Sequence, residues 1–168
     1  MEVLPGIMSI SNSVQTMDQS VLKNIKRLQP KDPVKVIKEF EGGGGEVQQP
    51  DFILPLPGET KEGFMKGMKK LLDTKANVRF RVHPTQMLSA TELDTKESVN
   101  KYGLQYKYRQ HSNFMGYCEG EFLCETERVV FATSDMSLED VFFCRIYTVF
   151  LDTLLRRAPL RELFEYLN

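Results

Sequence analysis

The chain has 168 residues, enough for one domain with its own core, and a hydrophobic share of 41% sets it apart from disordered sequences. Charged residues make up 27% but nearly cancel, leaving a net charge of −1. That balance excludes a polybasic or polyacidic protein drawn by its overall field to nucleic acid or an anionic membrane. The apolar start "MEVLPGIMSISNSV" is short and lacks a basic leader, so no signal peptide is expected, and no apolar run approaches a membrane span. Three cysteines, Cys118, Cys124 and Cys144, are an odd count that suits reduced thiols in the cytoplasm. Cys118 and Cys124 are six positions apart, outside the usual metal-knuckle spacing, and His83 and His111 lie near no carboxylate pair. No metal site built from this chain's Cys and His is expected.

In chain order, Gly6–Val14 reads as a strand whose interior face carries Ser and Asn. Asp18 is a good N-cap for a helix with Val21, Leu22, Ile25 and Leu28 on one face, ended by Pro30. Asp32 and Pro33 open a second helix whose stripe is Val34, Ile37 and Phe40, and the run Gly42–Gly45 stops it. "DFILPL", from Asp51, is a buried-strand candidate. "TKEGFMKGMKKLLDT" follows as a helix with Phe64, Met68, Leu71 and Leu72 inward. Its Lys66, Lys69 and Lys70 form a solvated face rather than a nucleic-acid patch, and Gly63 and Gly67 allow close packing against a neighbour. "NVRFRVHP" alternates as a strand should. Strand, helix, strand, helix, strand predicts βαβ units, a parallel sheet, and ligands at the carboxyl ends of its strands.

After Pro84 the chain is polar, aromatic and weakly periodic, and a long loop with a short helix near Thr95–Tyr102 is expected. "EFLCETERVVFATS" predicts one or two strands, firmest at Val129–Phe131. Ser137 and Asp140 resemble a capping box. The helix behind them is apolar over a wide surface that includes Phe142, Phe143, Ile146, Val149, Phe150 and Leu154, which requires burial in this chain or against another. Arg156 and Arg157 suit its end, and Pro159 starts a last short helix.

Three stretches in one order carry a family resemblance: "SVQTMDQSVLKNIKR", "PDFILPLPGETKEGFMKGMKKLLD" and "MLSATELDTKESVNKYGLQYKYR". They resemble the C-terminal half of a radical SAM (S-adenosylmethionine) barrel, in the group that often carries a cobalamin-binding domain upstream. The tail "CETERVVFATSDMSLEDVFFCRIY" is similar to the segment that follows the barrel there. The resemblance implies an α/β fold: a partial, half TIM-like barrel of βαβ units with parallel strands over residues 1–84, an irregular loop and short strand segment over 85–135, and a helical extension over 136–168. It implies SAM bound to a [4Fe–4S] cluster, one-electron cleavage to a 5′-deoxyadenosyl radical, and hydrogen abstraction from a substrate. Carried over by position, Gln15 and Asp51 face the SAM ribose, Arg27 reaches the methionyl carboxylate, and Glu59 helps frame the site at a helix start. These residue types suit those ligands: Gln and Asp bond hydroxyls, and Arg offers a planar fork to a carboxylate. Plainer readings stand beside them: Gln15 as an end-of-strand polar residue, Arg27 as a helix C-cap, Asp51 as a turn cap, Glu59 as a first-turn charge.

The chain departs from the family pattern. The C-x3-C-x2-C cluster motif and the first barrel strands are absent, Pro55 replaces the Gly usual before L-P-G-E, and Ala90 replaces the Gly usual before T-E. The expectation is therefore a fragment or split half, incomplete alone. The cluster would come from a missing barrel half, any cobalamin from an upstream domain, and the partner would be that half or a second copy. The rival is a non-catalytic partner-docking module derived from such a barrel. A weaker third reading binds nucleic acid through Lys66, Lys69, Lys70, Arg79 and Arg81. The small-molecule substrate is not specified by these residues.

Overall fold

A computed structural model of the chain describes residues 14–27, 34–35, 50–74, 81–156, 160, 162–163 and 166. The strand expected over Gly6–Val14, except its last residue, lies outside them, as do the glycine run, Arg79, and most of the second and last helices. The elements are α1 (Gln19–Asn24), β1 (Asp51–Leu54), α2 (Lys61–Leu72), β2 (Arg81–Pro84), a 3-10 turn (Glu92–Asp94), α3 (Lys96–Tyr102), β3 (Gln105–Cys118), β4 (Glu121–Ala132) and α4 (Leu138–Arg156).

Local chemistry sets these boundaries. The Asp18 carboxylate accepts from the Ser20 and Val21 amides at the start of α1. The helix is shorter than its apolar stripe predicts, because Lys26 turns to φ +51 and ends it before Leu28. Thr60 caps α2, accepting from the Gly63 amide at 3.0 Å. Ser137 and Asp140 cap α4 reciprocally, as their spacing predicts: the Asp140 amide donates to the Ser137 hydroxyl at 3.2 Å and the Ser137 amide to the Asp140 carboxylate at 3.4 Å.

β1 and β2 pair in parallel, with Asp51 opposite Arg81 and Ile53 opposite His83. Joined through α2, they form one βαβ unit, so the fold is α/β. Phe52 and Leu54 are buried, while Asp51 and Ile53 occupy the other face. The buried side meets Phe64, Met68 and Leu71 of α2 and Val141, Cys144 and Leu151 of α4, forming one core. The Phe52 and Phe64 rings meet edge to face at 6.1 Å. Each fully buried side chain of this size contributes about 1.5–3 kcal/mol by leaving water.

β3 is a 14-residue strand where the sequence predicted a loop, and it forms a long antiparallel hairpin with β4. Its residues through Gln110 and beyond Asn113 are exposed, so no alternation of apolar and polar positions announces it. Glu119 and Gly120, at φ +51 and +86, make the tight turn. The hairpin base joins the parallel pair. The Thr85 amide donates to the Leu54 carbonyl, the Val130 amide to the Thr85 carbonyl and the Met87 amide to the Arg128 carbonyl. Beneath that join lies a second small core of Met87, Leu104 and Val130. Among the described residues, no helix is long and apolar enough to cross a membrane.

Candidate functional site

The carboxyl ends of β1 and β2 open into a cavity of about 920 Å³, within the range of small-molecule sites. β1 leaves through a cis Leu54–Pro55 peptide toward Leu56 and the Pro57–Gly58 turn, and β2 leaves through Thr85 and Gln86. Ile53, Leu56, Pro84, Thr85 and Gln86 form the sheet-side wall. The end of α1 (Asn24–Arg27) forms a second wall, and residues between Leu88 and Tyr102 form the third. Gly58 holds φ +84, and a Cβ there would lie 2.4 Å from the Asn24 amide nitrogen, so this exit requires glycine. Asn24 donates to the Pro57 carbonyl at 3.1 Å, tying α1 to the turn.

Two of the four sequence-predicted residues meet in this cavity. Gln15 and Arg27 both line it, and Arg27 Nε donates to Gln15 Oε1 at 3.2 Å. Gln15 is fixed from below, since its carbonyl accepts from the Ile53 amide at 3.0 Å and lays this segment alongside β1. The wall carries four cationic side chains, Lys26, Arg27, Lys101 and Arg109, against the carboxylates Glu92 and Glu97. Lys26 is ion-paired to Glu92, Arg109 to Glu127, and Lys101 lies over the Tyr102 ring.

Asp51 is not among the lining residues. It sits at the amino end of β1 and accepts from Arg81 Nε at 2.7 Å and Nη2 at 3.3 Å, with His83 Nε2 also 3.3 Å away. His83 thus has one carboxylate beside it, that of Asp51. Parallel register brings Asp51 opposite Arg81 and sets His83 two places along on the same face. His83 lines the cavity, so Asp51 reaches it at one remove.

Glu59 does not line the cavity either. It is 1% exposed beneath the start of α2, and the Thr16 hydroxyl donates to its Oε2 at 2.5 Å. Its Oε1 is buried without a hydrogen-bond partner among the described residues. Burial pushes this carboxyl up to about 7, the Thr16 hydrogen bond opposes the rise, and the nearby Asp18 charge adds to it.

The cavity residues the sequence did not announce include His83, Thr85, Gln86, Lys101 and Arg109. For His83 a signal existed: its parity with Arg81 in "RVHP" puts both on one face. Thr85 and Gln86 directly follow β2, at the carboxyl end of that strand, whereas Lys101 and Arg109 are brought in from distant segments. The two family departures also have positions here. The Pro55 carbonyl accepts from the Thr85 hydroxyl at 2.5 Å, and Ala90 holds φ +65, a conformation suited to glycine.

Cys118 and Cys124 are exposed on the hairpin, whereas Cys144 is buried in the core with its thiol pushed up to about 11 by that burial. Among the described residues, no group of three or more His, Cys, Asp or Glu side chains is placed to hold a metal ion, so the chain's own thiols do not fit a [4Fe–4S] cluster. Lys66, Lys69 and Lys70 are exposed, with Lys69 bonded to Asp73, and Arg81 is committed to Asp51. Compared with models of protein families and with curated proteins, the chain matches none.

Proposed function

We propose that this chain contributes the SAM-holding and substrate-positioning wall of a radical SAM barrel, with the [4Fe–4S] cluster and the first strands supplied by another polypeptide segment. The observation that carries the reading is the Gln15–Arg27 pair in a cavity at the carboxyl ends of two parallel strands. Arg27 offers its guanidinium to the methionyl carboxylate and Gln15 its amide to ribose hydroxyls. His83, backed by Asp51, is a further polar group on the same wall. The backbone at Ala90 adds support, since its φ of +65 is the conformation for which the family's glycine is suited. SAM, when bound, supplies the radical precursor; this chain's residues bind and orient it.

The test is calorimetric titration of the chain with SAM. Binding is expected, and Arg27→Leu is expected to weaken it about 10- to 100-fold, the value of one charge-assisted hydrogen bond. A chain that gives no binding heat, or an Arg27→Leu variant that binds as tightly as the parent, overturns the proposal. The rival docking-module reading draws on the exposed apolar side of α4. It is favoured by a chain that ignores SAM yet associates through that side.

A further inference from the structure

α4 is apolar on both sides. Its inner side, with Val141, Cys144 and Leu151, packs into the core. Its outer side carries Phe142, Ile146, Val149 and Phe150, which are 64%, 53%, 67% and 60% exposed. A helix apolar all round is ordinarily covered all round. The outer residues Phe142, Ile146, Val149 and Thr153 repeat at alternating intervals of four and three. That is the seam spacing of two helices packed side by side. Cys144 and Leu151, on the opposite side of the helix, are buried, so the seam points away from the core.

We infer that α4 pairs antiparallel with α4 of a second copy of this chain. The surface is self-complementary about a two-fold axis between Ile146 and Val149, as an isologous contact demands. Ile146 then meets Val149 of the second copy, and Phe142 meets its Thr153. On one flank Arg145 faces Asp152 of the second copy, and the symmetry makes that ion pair twice. On the other flank Phe143 faces Phe150. A parallel pairing would set Arg145 against Phe150 instead, so charge selects the antiparallel arrangement. A 19-residue helix is about 28 Å long. Covering its outer apolar side chains in both copies buries on the order of 1,000 Å², the threshold for a specific interface. The pairing stands apart from the SAM reading and leaves the cavity untouched.

The test is the oligomeric state of the full chain by sedimentation across a wide concentration range. A dimer is expected, and Ile146→Lys is expected to abolish it. Because that variant also alters solubility, charge reversal provides an independent readout. Arg145→Glu and Asp152→Arg should each weaken the dimer about two- to five-fold, and the double variant should restore it. For orientation, exposed Cys118 and Cys124 are changed to Ser, and Ile146→Cys copies are mixed with Val149→Cys copies. Mixed disulfides are expected to dominate. A monomer at every concentration, a dimer that survives Ile146→Lys, an absence of rescue in the double charge reversal, or disulfides formed as readily between two Ile146→Cys copies each overturns the inference.

Discussion

Glu59 is held in the core by one hydrogen bond, and its titration has a definite sign. Its carboxyl is raised from an ordinary value of 4.5 to about 7, so folding favours the protonated form. The associated stability is fully present below about pH 4.5 and is lost as the pH rises through 7. The shift corresponds to an effect on the order of 3 kcal/mol. Asp18 acts oppositely and at lower pH. The Ser20 hydroxyl holds its carboxyl below the usual range, so its contribution disappears only on acidification. Melting temperature should therefore fall between pH 5 and 8, and Glu59→Gln should flatten that fall and be the more stable protein at pH 8. Parallel pH profiles of the two proteins that coincide would refute this. At this scale the sequence was partly legible. The acid after Gly58 is visible as a helix-start residue, but its burial depends on Thr16, 43 positions away. Asp51 was given its ligand role by position in the resemblance; a carboxylate beside an apolar run needs a partner, and in the structure that partner is Arg81 together with His83.

Among the elements, α2 was the most readable, because its stripe, its Thr60 cap and its glycines all agree. Gly67 is the instructive position. Replacement by Ala gains about 1 kcal/mol of helix propensity. Yet the added Cβ would stand 2.8 Å from the Met17 Cβ, closer than such atoms approach, so the helix must move off the segment that carries Gln15. Gly67→Ala is expected to lower the melting temperature despite the propensity gain, and a rise would show that Met17 yields freely. β1 and α4 were legible for the same reason as α2: an apolar period ties each to a buried face. β3 was not, because exposed strands have no such period to read. Its pairing is set instead by the Glu119–Gly120 turn and a firmer partner strand, whose Val130 and Ala132 are buried.

For the whole molecule, the βαβ unit follows from element order, a cavity lies at its carboxyl end, and Gln15 and Arg27, named from their motif, line it. The cavity's other walls were not legible, since Lys101 and Arg109 reach it from segments whose positions depend on the hairpin. That hairpin is joined to the parallel pair at a narrow place: the Thr85 backbone bonds to Leu54 on one side and Val130 on the other, and Met87 bonds to Arg128. Thr85 and Gln86 also line the cavity. Thr85 and Met87 thus tie the cavity wall to the base of a hairpin whose strands are 14 and 12 residues long. A ligand that orders this wall is therefore expected to order the hairpin base with it. Amide hydrogen exchange reads this directly: the Thr85, Met87 and Val130 amides should exchange as one slow unit, while those at the hairpin tip near Glu119 exchange fast. Ligand in the cavity should then slow exchange at Val130, a residue it does not touch.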